Sequence, residues 1–283
     1  MNIKNKSLME IHLAVFLFGL SGLFGKLLSL SSIIIVLGRV FFSSIFLLII
    51  MIYLKKDIKL KQQKHYFYLV VMGVILAIHW STFFKSIQVS TVAIGLLTFS
   101  TFPVFVTFLE PCFFKEKIKL SDIVIAIITF LGVVFVIPKF EMGSNLTQGV
   151  LWGIISGFTY AILSMLNRKY VKEYSSSVIA FYEQLVATIV LIPFLFLQKP
   201  AFHIRDVLLL IILGIIFTGI SHSLFISGLK NIKTQTAGII SSLEPVYGII
   251  FAVFLLREIP TLREILGGII ILGTVFYSTI KSK

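Results

Sequence analysis

The sequence predicts an all-α membrane protein with ten transmembrane helices, built as two inverted five-helix repeats with both termini cytoplasmic. Three observations carry this. The 283 residues are 58% hydrophobic and only 13% charged, more apolar surface than a soluble domain of that length can hide from water. The second half repeats the first: at an offset of 142 residues Pro103 aligns with Pro245, Phe83 with Phe225, Ser100 with Ser242 and Val104 with Val246. At the same offset Lys115–Glu116 aligns with Arg257–Glu258, and Asp122 with Glu264. Lys and Arg, finally, alternate from one set of connectors to the other. The net charge of +13 therefore reads as orientation in a membrane rather than as a nucleic-acid surface.

A hydrocarbon core of about 30 Å needs roughly 20 apolar residues per helix. The first run, about 9–29, is long enough to span, has no small-residue cleavage site for a signal peptide, and carries Gly19, Gly22 and Gly25. The second, 32–54, holds Arg39, and the third, 66–85, holds His79, Trp80 and Phe83. The fourth, 89–111, contains Phe102 and Pro103, and the fifth covers 120–138. The sixth, 147–167, puts Gly149, Gly153, Ser156, Gly157, Tyr160, Ser164 and Asn167 on one face at helical spacing. The seventh, 177–197, holds Glu183, and the eighth, 206–228, holds His222 and Phe225. The ninth, 233–256, contains Ser242, Glu244 and Pro245, and the tenth spans 262–280. The runs are too long, and alternate too little, for barrel strands. The repeats occupy 1–140 and 146–283.

With the N-terminus inside, the inner connectors carry 17 Lys and Arg residues and the outer ones 6, which places both termini in the cytoplasm. Five spans per repeat then set Lys115–Lys119 inside and its counterpart Arg257–Arg263 outside, so inversion follows from the span count. The one cysteine, Cys112, has no internal disulfide partner and reads as packing.

The pairing of Ser100-Thr101-Phe102-Pro103 with Ser242-Leu243-Glu244-Pro245, each followed by a basic-Glu pair and a glycine-bearing last helix, resembles the two EamA domains of the drug/metabolite transporter superfamily. The likeness covers nearly the whole chain and is closer in the second half. The first half departs from it with Phe102 where the second has Glu244. The resemblance implies a ten-helix fold and carrier-type transport of small organic solutes, with a lean toward export of amino acids or related metabolites.

Polar groups deep in apolar runs are expensive and mark candidate sites. Glu244, about 11 residues into its span, is placed to bind a substrate ammonium or a proton, or to brace the bend at Pro245. Pro103 and Pro245 are expected to free the carbonyls of Phe99 and Ser241 and to act as hinges at the binding site. His79 and His222 are candidates for a carboxylate or a proton, and Ser242 for a hydroxyl contact. Trp80, Phe83, Phe102, Tyr160 and Phe225 are placed to line a cavity, with Ser164 continuing the face of Tyr160. Arg39 and Glu183 are expected at different depths, each with its own local partner or guarding one end of the path. Lone intramembrane histidines, glycines and rings also serve plain packing, and that reading stands beside each of these.

The expected activity is that of a secondary carrier in the inner membrane of a prokaryote, working by alternating access on an amino acid or a related metabolite. Uptake of another small metabolite, a choline-like amine or a nucleotide derivative, is the alternative. A non-transporting membrane protein or a membrane enzyme is a minor one. No nucleotide-binding, serine-hydrolase or zinc-protease motif is present, so no enzyme activity, cofactor or metal is expected. Partners are the solute, membrane lipid, and protons or another coupling ion; nucleic acid is not among them.

Overall fold

The structure, a computed structural model, describes residues 3–114, 120–136, 141 and 143–281. The connector 115–119, Lys139 and the side chains of Cys112 and Asp122 lie outside the described residues. Every regular element described is helical. In the first half these are α1 (Ile3–Ser21), α2 (Phe24–Leu27), α3 (Ser32–Tyr53), α4 (Gln63–Val89), α5 (Val92–Phe99), α6 (Phe102–Phe114) and α7 (Leu120–Val136). In the second they are α8 (Asn145–Tyr170), α9 (Ser176–Gln198), α10 (Ile204–Gly214), a π-helical turn (Ile215–Ile220), α11 (Ser221–Gly228), α12 (Thr234–Ser241), α13 (Glu244–Leu256) and α14 (Leu262–Lys281). Among the described residues seven helical stretches are long and apolar enough to cross a membrane, with shorter apolar helices at Ile123–Val136 and Glu244–Leu256. The chain is a multi-pass membrane protein.

Helix starts are set by short polar side chains. Ser31, Thr91 and Ser144 accept from the backbone N–H three residues on, which satisfies donors a helix leaves unpaired. The amphipathicity is that of a membrane helix, apolar outward and polar inward. On α3 the exposed face is Phe41, Ile45, Ile49 and Ile52, while Arg39, Ser43 and Ser44 are buried. Only lipid tolerates that outer face.

Three spans expected as single helices are interrupted. The first breaks at Gly22–Leu23, the fourth at Ser100–Thr101 and the ninth at Ser242–Leu243. Pro103 and Pro245 therefore do not bend a running helix. They sit in the first turns of α6 and α13, where the missing N–H has no intrahelical partner to lose. The eighth run widens into the π turn, in which Thr218 Oγ1 donates to the carbonyl of Leu213, 2.7 Å away.

Packing pairs helices across the two halves. α4 lies on α8, and α1 on α11; α4 meets α9, and α3 meets α10 and the π turn. α5 and α6 lean on α8, while α12 and α13 lean on α1. α3 crosses α9 and α7 crosses α14, the latter joined by a 2.7 Å hydrogen bond between Thr129 and Thr274. The breaks at Ser100–Thr101 and Ser242–Leu243 are each approached by a glycine. A Cβ on Gly19 would stand 2.7 Å from the carbonyl oxygen of Glu244, and one on Gly157 would stand 3.0 Å from that of Phe99.

Candidate substrate site

The three breaks converge on a narrow cavity of about 20 Å³, room for about one water. Its polar lining is Arg39, His79, His222, Glu244 and Ser21; its rings are Phe18, Trp80, Phe83, Phe99 and Tyr160. The volume is far below that of a ligand pocket. A solute the size of an amino acid requires these rings to separate.

Arg39 projects from α3 and is 1% exposed. Its Nε donates to Thr218 Oγ1 at 2.9 Å and its Nη2 to the carbonyl of Phe217 at 3.3 Å. Both acceptors are supplied by the π turn, a distortion found often at functional sites. The guanidinium carbon lies 3.9 Å from the centroid of the Trp80 ring and 5.2 Å from that of Phe84, a geometry in which ring faces attract the cation. Nη1 is buried without a hydrogen-bond partner. An arginine donor left over in a dry interior is costly unless an anion comes to it.

Glu244 opens α13 at the break and is buried against the same cavity. A helix N-terminus favours a carboxylate. Arg39 supplies the opposite charge in the cavity wall. The same lining thus offers a guanidinium donor without a partner, a carboxyl group and aromatic rings.

His79 Nδ1 lies 3.0 Å from the carbonyl of Ser156 and 2.9 Å from Ser156 Oγ. The carbonyl only accepts, so Nδ1 carries the proton. The imidazole stacks on Tyr160 with centroids 4.7 Å apart and lies 5.4 Å from Phe99. His222 Nε2 bonds Glu183 Oε2 at 2.7 Å, and the edge of its ring meets Trp80 at 5.4 Å. Next to Glu183, Gln184 accepts a hydrogen bond from Ser43 of α3.

The structure brings Glu244, His79, Trp80, Phe83, Tyr160 and His222 together around one space. Arg39 joins them. Its long side chain reaches inward from α3 because α3 packs against the π turn. Glu183 stands behind the cavity, held by His222, and Arg39 and Glu183 have separate partners. Phe102 and Phe225 form a second layer: Phe102 stacks on Phe99 at 5.4 Å, and Phe225 leans on Phe18 and Tyr160. Ser164 is buried outside the lining, as is Ser242 beside the break. Pro103 packs on Gly238 where α6 meets α12. Phe18, Ser21 and the ring of Phe99 were missed. Phe99 had entered only as a carbonyl, and that carbonyl packs on Gly157; nothing in local hydropathy separates these side chains from other buried ones.

The profile of the EamA-like transporter family matches residues 6–137 and again residues 147–280. The chain belongs to the EamA-like transporter family. As an EamA-like protein it is a membrane transporter of small solutes. Curated relatives include an uncharacterized transporter of Bacillus subtilis (strain 168), 27% identical over 74% of this chain and 68% of that protein. The S-adenosylmethionine uptake transporter of Rickettsia conorii (strain Malish 7) is 24% identical over 87% of this chain and 82% of that one. A solved crystal structure at 14% identity shares this fold with a TM-score of 0.71, covering 98% of this chain and 97% of the other.

Proposed function

We propose that the protein is a secondary carrier that moves an amino acid or a closely related zwitterionic metabolite across a prokaryotic cytoplasmic membrane by alternating access. The observation that carries the reading is the free Nη1 of buried Arg39 in the same small cavity as Glu244. A solute carboxylate supplies the anion that Nη1 lacks. An ammonium at the other end of the solute meets Glu244. The rings of Trp80, Phe99 and Tyr160 exclude water, which strengthens both charge-assisted bonds.

The paired contacts favour inverted halves at 1–140 and 146–283. α4 on α8 has its counterpart in α11 on α1, and α5 and α6 on α8 in α12 and α13 on α1. Trp80 and His222, which align at the 142 offset, touch each other, as residues beside a two-fold axis do. Rocking such halves around a fixed midplane site is the general solution for inverted-repeat carriers.

One end of the bundle is latched. Lys26 Nζ donates to the carbonyl of Ser90 at 2.7 Å and lies 3.7 Å from Glu258, whose Oε2 accepts from the N–H of Val92 at 2.9 Å. Thr91 donates to Glu264 at 2.8 Å. On the orientation given by Lys and Arg this is the outer end. Glu258→Ala removes two of these contacts from a partly exposed site. The expected result is a folded protein whose outer end opens more often by about fivefold, equivalent to about 1 kcal/mol. Thiol labelling of a cysteine placed at Ser21, in a Cys112→Ser background, reads it.

The deciding experiment is transport of labelled amino acids by purified protein in liposomes, in both directions. Saturable movement of at least one amino acid, with competition among its chemical neighbours, is expected. Failure of every amino acid to move or to compete overturns the reading. Export is the direction implied by the family resemblance. Uptake of a larger amino acid derivative is the second reading, favoured by the relatives named for S-adenosylmethionine uptake. That compound joins an amino acid end to a cationic sulfonium and an adenine suited to aromatic walls. Competition by S-adenosylmethionine from the outer side separates the two.

A further inference from the structure

We propose that Glu183 and His222 form a proton site whose proton accompanies the solute, so that the carrier is a solute–proton cotransporter; this rests on the carrier reading above. The two side chains are 0% and 1% exposed and share a 2.7 Å bond from His222 Nε2 to Glu183 Oε2. Each keeps one atom without a partner, Glu183 Oε1 and His222 Nδ1. A purely structural pair in a dry interior would have both ends satisfied. These two atoms are the places where one more proton binds.

The groups facing the pair set the charge balance. α3 contributes Arg39, α4 His79, α8 Tyr160 and α13 Glu244; Gln184 beside Glu183 is neutral and bonded to Ser43. Arg39 is the cation among them, and a bound solute carboxylate takes up its charge. With a single proton in its bond the Glu183–His222 pair is an imidazole donating to a carboxylate, one negative charge in all. A second proton, taken from water on one side onto Nδ1 or Oε1, makes the pair neutral; it leaves to water on the other side. Burying an unbalanced charge is costly. A solute that takes the charge of Arg39 leaves the pair unbalanced, so closure around the solute requires the second proton. In the empty site Arg39 itself balances the pair, which returns without it. Trp80 joins the two sites physically, with Arg39 over its face and His222 against it. An inward proton gradient then drives uptake, which favours the second reading of direction.

The test has two arms. In liposomes carrying a pH-sensitive dye, the wild-type protein is expected to move protons with the solute. Glu183→Gln, which leaves the hydrogen-bonding shape but removes the charge, is expected to keep measurable solute counterflow while proton movement falls to background. Solute movement without protons in the wild type, or proton movement persisting in Glu183→Gln, overturns the proposal. The second arm needs no solute. The chain has two tryptophans, so Trp152→Phe leaves Trp80 as sole reporter beside His222. Its fluorescence is expected to fall on acidification in a one-proton transition, because an imidazolium quenches a touching indole. The transition should vanish in His222→Gln and shift in Glu183→Gln. If nothing is transported, the carrier reading fails while this arm still judges the proton site. Fluorescence that does not titrate, or that titrates unchanged in both variants, overturns it.

Discussion

Arg39→Ala is expected to abolish transport while leaving a folded protein. The guanidinium makes two hydrogen bonds to the π turn, covers Trp80 and keeps Nη1 free toward the cavity. Hydrogen bonds to charged groups contribute about 1.5–3 kcal/mol each. Loss of the one made to the solute carboxylate weakens binding about 10- to 100-fold. Glu244 also loses the counter-charge that Arg39 supplies in the cavity lining, so the effect on transport exceeds that on binding. Arg39→Lys separates charge from geometry. An ammonium restores the positive charge but not the planar fork or the stacking on Trp80, and it should recover a small part of the transport rate. The checks are initial transport rate in liposomes and thermal unfolding of the same preparations. Full transport by Arg39→Ala would remove the carboxylate-binding role from this residue.

Gly19→Val is expected to do the largest structural damage. A Cβ at this position would meet the carbonyl oxygen of Glu244 at 2.7 Å and the backbone nitrogen of Gly248 at 3.2 Å. Those are backbone atoms at the start of α13, which cannot rotate away, so α1 and α13 must separate. Overpacking of this kind costs about 1–3 kcal/mol where side chains can adjust, and more where backbone must move. Because the displaced element carries Glu244, the substrate site is lost with it. Gly157→Val, which presses on the other break at the carbonyl of Phe99 and the nitrogen of Phe102, is expected to behave alike. Gly143→Ala, with nothing within 4 Å, should be silent. Thermal unfolding in detergent and yield of monodisperse protein report the difference. Equal stability of the Gly19 and Gly143 variants would mean that α1 and α13 are not held at backbone contact.

Much of this was legible because hydropathy is written residue by residue. The helical runs, the buried Glu244, the near-symmetric histidines and the glycine faces need only spacing and the cost of polar groups in hydrocarbon. The small stripe on α8 identified Gly157 as a packing position and Tyr160 as a cavity wall before any contact was known. The prolines were legible as break points but not in kind. A proline in the sequence looks the same whether it bends a helix or starts the next one, and hydrogen bonding on both sides of the break decides which.

By itself the sequence determined the solvent, the helical class, the doubled family match and which polar side chains had to be hidden, since each follows from local composition and period. Only the tertiary structure decided who meets whom. Glu183 ends on His222 rather than on Arg39, and Arg39 turns from a position on α3 to a cavity wall because the π turn offers Thr218 and the carbonyl of Phe217. Partner choice depends on the relative depth and rotation of helices far apart in the chain. A single widened turn resets both by ångströms that no local pattern records.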